Sequence, residues 1–422
     1  MNLLDIYHVD TTGDFHLAGQ VALDPKSGQV DGELTKDHQL HPDLKRLNNK
    51  ASRDLFKASL VDCVPDVWGK AVLSILHQLP KVGMEDVAYL PYLSNIDMFV
   101  GNTVFIEAGT KLPARTKLPI LKAGLLNEAD KLDSKEDLSS MEKTLLMAMG
   151  APPGARSKAL VKYKGKSSLA KFKSQQDDYD VMGAEYVCMK LASKCGLEVP
   201  KCSLVELDDQ KILVQERFDI PDKAPLGRYP MMSFRAAAGL TVFVEDDYAS
   251  LAALVRKYSV HVIEDVEKLY TMMVFNAAVG NIEDHHRNFS FIDRGQGWQL
   301  SPYYDVTPAY TTQARYQKVM RLHSQTFAGE ATPSKDNLLA LAASFGLTDK
   351  KALSILDAVA VTIKNNINSL KKYIDDDSRA LVVDTLLDGI DILSPPAPKS
   401  LAETIGDISD HQFAPLAPGQ YS

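Results

Sequence analysis

Apolar and polar positions divide the chain into a first half that mixes strands and helices and a second half that is mainly helical. Residues 1–35 set short apolar runs between the turn signals Asp10-Thr11-Thr12-Gly13-Asp14 and Pro25-Lys26-Ser27-Gly28, which predicts a small β-rich start. Over 52–80, Leu55, Leu60, Trp68, Val72 and Leu76 share a broad apolar face, the mark of a helix. Pro65 interrupts it and is expected in a first helical turn, where its missing N–H costs nothing. Residues 83–150 read as helical and loop-rich, with the charged stretch 127–143 as a solvated helix face.

Strand alternation returns at Ala159–Tyr163 and Leu169–Lys173, joined through Lys164-Gly165-Lys166, which predicts a hairpin. Val181–Cys195 reads as a helix stopped by Gly196. A second hairpin is expected from Leu204–Leu207 and Ile212–Val214 around Asp208-Asp209-Gln210. Beyond about 230 the pattern is mainly helical, including 266–280 and 350–392. The tail from Ser394 carries Pro395, Pro396, Pro398, Pro415 and Pro418 and is expected to be extended or mobile. No internal repeat occurs. Strands and one helix followed by a helical half predict an α+β chain of two lobes.

Composition narrows the partners more than the fold. A formal net charge of -8 gives no whole-protein electrostatic grip on nucleic acid or an anionic membrane. The start, Met1-Asn2-Leu3-Leu4-Asp5-Ile6, lacks the basic and apolar regions of a signal peptide, and no apolar run is long enough to span a bilayer. Cys63, Cys188, Cys195 and Cys202 form no CxxC pair and read as reduced thiols. A cytoplasmic chain is expected.

The candidate chemistry sits after the apolar helix ending at Gly280, which is expected to deliver Asn281-Ile282-Glu283-Asp284-His285-His286-Arg287-Asn288 to a surface. Glu283 precedes Asn288 by five positions, and Asp305 follows about 20 residues later in Leu300-Ser301-Pro302-Tyr303-Tyr304-Asp305. Phosphoryl transfer needs this layout: an acid positions the nucleophile, while an amide and a carboxylate hold Mg²⁺ against the phosphates. His285 and His286 are adjacent and point apart on regular backbone, which argues against a two-His transition-metal site. Asn288 and Asp305 are hard oxygen ligands suited to Mg²⁺.

Three further stretches gain meaning beside that loop. Lys171 lies in a strand between Ala170 and Phe172, and Glu185 follows 14 residues later in the next helix, the strand–helix pairing that fixes a lysine on the α and β phosphates. Taken alone, the two are ordinary surface charges. Gly154, Ala155, Arg156, Ser157 and Lys158 precede the hairpin; a glycine there lets backbone N–H groups approach phosphate, though Pro-Gly by itself marks only a turn. Glu216 and Phe218 close the second hairpin at the junction of the lobes, where backbone can read an adenine edge; the bland reading is a strand end with a core Phe.

Taken in order, these segments resemble the HipA family of bacterial toxin-like serine/threonine kinases. Leu60-Val61-Asp62-Cys63-Val64-Pro65-Asp66-Val67-Trp68-Gly69 is similar to that family's D-x-L-P-D-x-W-G segment, and Gly154–Ala159 to its G-A-R-P-K-A loop. Leu169–Phe172 is similar to its I-A-K-F strand, and Glu216–Asp219 to its R-F-D hinge. Asn281–Asn288 is similar to N-x-D-D-H-x-R-N, and Leu300–Asp305 to L-S-P-x-Y-D.

The resemblance implies a two-lobed protein-kinase-like fold with a mixed α/β N-lobe and a mainly helical C-lobe. Its divisions would be an N-terminal subdomain over 1–150, an N-lobe core over 151–222, a C-lobe over 223–393 and a tail over 394–422. It implies ATP and Mg²⁺, with Gly154, Ala155 and Lys158 over the nucleotide and Lys171 and Glu185 on the phosphates. Glu216 and Phe218 would line the base, Asn288 and Asp305 hold the metal, and His285 lie near the transferred phosphate. It also implies a protein substrate and a small helix-turn-helix, HipB-like antitoxin, so that DNA is met only through that partner.

Two departures stand out. Glu283 occupies the position of the family's catalytic Asp, and one extra methylene shifts the accepting oxygen by roughly 1 Å, worth about 10²-fold in rate; adjacent Asp284 is the alternative acid. Ala151 falls where the family carries an autophosphorylated Ser, and Ser157 is off register. A nucleotide-binding pseudokinase acting as an antitoxin scaffold is therefore the second reading, and a small-molecule kinase the third.

Overall fold

Alternation in Asn2–Val9 (β1) turns Leu4 and Ile6 inward, and the computed structural model pairs this strand antiparallel with Phe15–Leu23 (β2), which in turn pairs with Val30–Leu34 (β3). The structure describes residues 2–80, 84–115, 117–122, 158–173, 177–207, 209–242, 246–308, 320–321 and 333–395. Helix Lys50–Asp62 (α1) starts at a capping box in which Asn49 Oδ1 accepts from the Ser52 N–H at 2.8 Å. Its Phe56, Leu60 and Val61 pack on Leu4, Ile6 and Val21 of the sheet.

Helix Val67–His77 (α2) follows a break, so the 52–80 stretch is two helices. Pro65 stands just before the cap residue Asp66 instead of in the first turn, contrary to expectation. The described part of 83–150 also departs from its helical reading: it holds two short 3₁₀ turns and the strand Thr103–Glu107 (β4), which completes the sheet in the order β3-β2-β1-β4. Val104, Phe105 and Ile106 are all buried, and such a short unbroken apolar run carries no period to separate strand from helix. The charged face at 127–143 lies outside the described residues.

The second sheet forms as the hairpins predict. Lys158–Tyr163 (β5) pairs with Lys166–Lys171 (β6) across Lys164-Gly165, whose positive φ values of 48° and 80° belong to the tight turn that matches strand twist. Cys202–Leu207 (β7) and Gln210–Glu216 (β8) complete the order β5-β6-β8-β7. Between the hairpins lies Val181–Lys194 (α3), capped by Asp180, whose Oδ1 accepts from the Gly183 N–H at 2.8 Å; Cys195 ends it before Gly196.

The second half is helical but not wholly so. Met231–Ser233 (β9) leads into the short helix Phe234–Ala237 (α4), then Tyr248–Tyr258 (α5) and Val262–Val279 (α6). Strands Ser290–Asp293 (β10) and Trp298–Leu300 (β11) join β9 in a three-stranded sheet, order β11-β10-β9, which the helical reading of this half missed. Lys335–Ala340 (α7), Asp349–Leu370 (α8) and Asp376–Leu393 (α9) close the chain, with 350–392 broken at 371–375. Helices α8 and α9 enclose α6 in the larger core. Gly389 lets α9 approach α6: a Cβ there would meet the Ala278 carbonyl oxygen at 1.6 Å. The base of the loop after α6 is thus clamped.

The whole is an α+β, two-lobed protein-kinase-like fold. Among the described residues no helix is long and apolar enough to cross a membrane, and all four cysteines are free thiols. Of the tail, residues 396–422 lie outside the described residues.

Candidate active site

Helix α6 ends at Gly280, whose φ of 69° is the left-handed conformation that stops a helix, and the loop from Asn281 follows. This loop does not lie open on a surface as expected. Asn281, Asp284, His286 and Asn288 are buried, while Glu283 is exposed. Beneath it runs a polar network: Asn281 Nδ2 donates to Asn276 Oδ1 at 2.8 Å, Asn276 Nδ2 to Tyr248 Oη at 3.0 Å, and Tyr303 Oη also donates to Asn276. Tyr248 Oη donates to Asp284 Oδ2 at 2.7 Å. Burial, then the Asp284 charge, hold the Tyr248 hydroxyl well above its ordinary pKa, so it remains a donor. Asp284 therefore anchors the loop from below, and Glu283 presents its carboxylate to solvent.

Asn288 ends a 3₁₀ turn, His286–Asn288, and its Nδ2 donates to the Glu283 carbonyl at 2.5 Å. That bond fixes the amide and leaves Oδ1 as its acceptor atom. The chain then enters β10, returns along β11 and reaches Asp305, whose φ of 59° is left-handed, a conformation Asp tolerates better than most residues.

Lys171, at the end of β6, meets both arms. Its Nζ lies 2.5 Å from Glu185 Oε1 and 2.6 Å from Asp305 Oδ1. The Lys171 side chain is 4% exposed and that of Glu185 1%, whereas Asp305 keeps 31%. Burial opposes the Lys171 charge, but Asp305 and Glu185 together hold its pKa above the ordinary range. Burial likewise favours a neutral Asp305, yet Lys171 and then Lys158 hold its carboxyl well below the usual carboxylate range, and half-buried His285 adds to that pull. At Glu185 burial wins over Lys171 and raises the pKa. Lys171 is thus the cation that both carboxyl groups of this triad share.

A cavity between the lobes is lined by Lys158, Lys171, Glu216, Phe218, Asn288 and Asp305. The Phe218 ring lies 5.8 Å from that of Tyr304, tilted by 33°. Asp62, Cys63 and Val64 of the N-terminal part line the same cavity, a contribution that sequence reading left without a role. Neither Glu283 nor Asp284 is among its lining residues. Gly154, Ala155, Arg156, Ser157 and Ala151 lie outside the described residues.

The donor set suits Mg²⁺: one amide oxygen and one partly open carboxylate are hard ligands, few enough that phosphates and water supply the rest. Among the described residues no three or more His, Cys, Asp or Glu side chains gather to hold a metal by themselves.

A sequence model described as the HipA-like C-terminal domain matches residues 150–367, more than half of the 422-residue chain. The chain belongs to this family. A curated relative, "Putative kinase Y4mE" of Sinorhizobium fredii (strain NBRC 101917 / NGR234), is 30% identical over 233 residues, 49% of this chain and 52% of that protein. The chain therefore spans about half the length of the relative it matches. HipA of Shewanella oneidensis MR-1, solved with HipB and its operator DNA, superposes with a TM-score of 0.70 over 92% of this chain and 96% of that one, at 20% identity. That likeness extends the HipA fold to the N-terminal part, beyond the matched family domain.

Burial pulls the Lys158 ammonium, paired in register with Lys171, down to about 8, against the opposing pull of Asp305. The ammonium discharges as pH rises through that value, and the cavity then loses a cation. The kcat/KM for ATP, which reports free-enzyme groups, is expected to fall as pH rises past about 8. Lys158→Met should flatten that step; a pH profile unchanged by the substitution would exclude Lys158 from phosphate binding.

Proposed function

We propose that the chain is an ATP-dependent protein kinase that transfers the γ-phosphoryl group to a serine or threonine hydroxyl, as the toxin of a toxin–antitoxin pair. One observation carries the reading: Lys171 is held between Glu185 of the N-lobe helix and Asp305 of the C-lobe, in a cavity that Asn288 also lines. These groups are far apart in sequence, and phosphoryl transfer is the chemistry that needs them together. The backbone at Glu216–Phe218 suits the base edge, and Lys171 and Lys158 suit the phosphates. Asn288 and Asp305 would hold Mg²⁺, which when bound neutralises charge on the phosphates. Glu283 takes the proton of the acceptor hydroxyl, since Asp284 is buried under Tyr248.

The HipB complex of the Shewanella oneidensis relative supports a HipB-like antitoxin partner, and the net charge of -8 supports contact with DNA only through it. The exposed glutamate in place of the family's aspartate favours one second reading, a nucleotide-binding pseudokinase that serves as an antitoxin scaffold.

Incubating the purified chain with γ-labelled ATP, Mg²⁺ and a cell extract separates the two. Label on serine or threonine of a protein supports the kinase; bound nucleotide without transferred label supports the scaffold. Glu283→Asp is expected to raise kcat about 10-fold by shortening the reach to the acceptor, and Glu283→Gln to abolish it. A Glu283→Gln variant with full kcat would remove Glu283 from proton transfer.

A further inference from the structure

The end of α1 and the turn that leads to α2, residues 61–66, belong to the one segment of the family resemblance that the kinase reading leaves unused. Beyond the hydrogen bonds within and beside α1 and α2, their polar contacts among the described residues run to the C-lobe. Arg287 Nη2 donates to the Val64 carbonyl at 2.9 Å, and Arg287 Nη1 pairs with Asp66. The Ser233 N–H donates to Asp62 Oδ2 at 2.9 Å, Ser233 Oγ donates to Asp62 Oδ1, and Arg235 Nη2 donates to the Val61 carbonyl at 3.2 Å.

Asp66 occupies the cap position of α2, where an Asp side chain ordinarily accepts from the first-turn N–H groups. It makes no such bond. Its carboxylate is turned to Arg287 instead, so the local helix contact is given up for one 221 residues away. Arg287 is the residue before Asn288, and its own carbonyl accepts from Tyr304 Oη at 2.9 Å, next to Asp305. A single residue thus ties the N-terminal turn to both proposed metal-holding arms. Asp62, Cys63 and Val64 reach the wall of the same cavity.

We propose that this turn is a positioning element of the catalytic loop: Asp66, through Arg287, fixes the placement of Asn288. The proposal rests on the kinase reading for its chemistry. It makes the N-terminal part a component of the active site instead of a separate module.

The test uses the full chain with Asp66→Asn, Arg287→Lys and the double variant, and with Asp66→Glu as the conservative control. Each single change is expected to lower kcat about 10- to 100-fold, since a displacement near 1 Å at a reacting centre costs that much. The double variant should be no worse than the worse single, as for two residues acting as one unit. Asp66→Glu should recover part of the loss.

ATP affinity without metal should stay within about twofold, because Lys171 and Glu185 are untouched, while the gain in affinity on adding Mg²⁺ should shrink about 10-fold. A lowered Tm with unchanged kcat and an unchanged Mg²⁺ gain would reduce the contact to interface stability and overturn the proposal. If the native chain binds Mg²⁺–ATP without turnover, the Mg²⁺ gain alone decides. If it binds none, the kinase reading fails first and the proposal falls with it.

Discussion

Replacing Asp305 by alanine or asparagine is expected to lower phosphoryl transfer by about 10³-fold, with the fold retained. Both changes remove a charge that the site keeps ionised through Lys171 and Lys158. The asparagine variant is the sharper of the two. Asp305 sits at a φ of 59°, where alanine strains the backbone by about 1 kcal/mol and asparagine does not. Loss in both variants therefore assigns the effect to the carboxylate, whereas loss in alanine alone assigns it to backbone strain. Undiminished turnover in Asp305→Asn would take the residue out of the site altogether.

Lys171→Met is expected to lower kcat/KM for ATP by about 10²- to 10³-fold. The side chain is almost completely buried and joins a strand of one lobe to a helix of the same lobe and a loop of the other. Methionine preserves the buried stem and removes the cation proposed to orient the phosphates. The same change leaves Glu185 without its lysine partner, and since burial already raises its pKa, loss of the ammonium pushes that pKa further in the same direction, towards the neutral acid. The native fold should survive, and near-native Tm beside lost kcat/KM is the expected pair of results. Unchanged kinetics would show that the ammonium contacts no phosphate.

Much of this architecture is written locally. The Lys164-Gly165 turn flanked by alternating residues specifies its hairpin, and Asp180 and Gly196 bracket α3 as cap and stop. Lys171 ends β6 and Glu185 stands five residues into α3, 14 residues on, so the pairing joins two elements that the sequence already announces.

Other features have no local signature. The strands β9, β10 and β11 have three or four residues each, too few to display a period. Asp284 is bound by Tyr248, 36 residues upstream, and buried, while the neighbouring Glu283 is exposed. The contact of Asp66 with Arg287 likewise spans 221 residues, and nothing in the sequence around Asp66 announces it. In each case a long-range contact overrides what the local pattern suggests.

The most direct test of the site is a structure of the chain with Mg²⁺ and a nonhydrolysable ATP analogue. The expected result is a base beside Phe218, phosphates against Lys171, and a metal ion bound by Asn288 and Asp305. A nucleotide bound elsewhere, or one that leaves Lys171 still bridging Glu185 and Asp305 with no metal between the two arms, would contradict it.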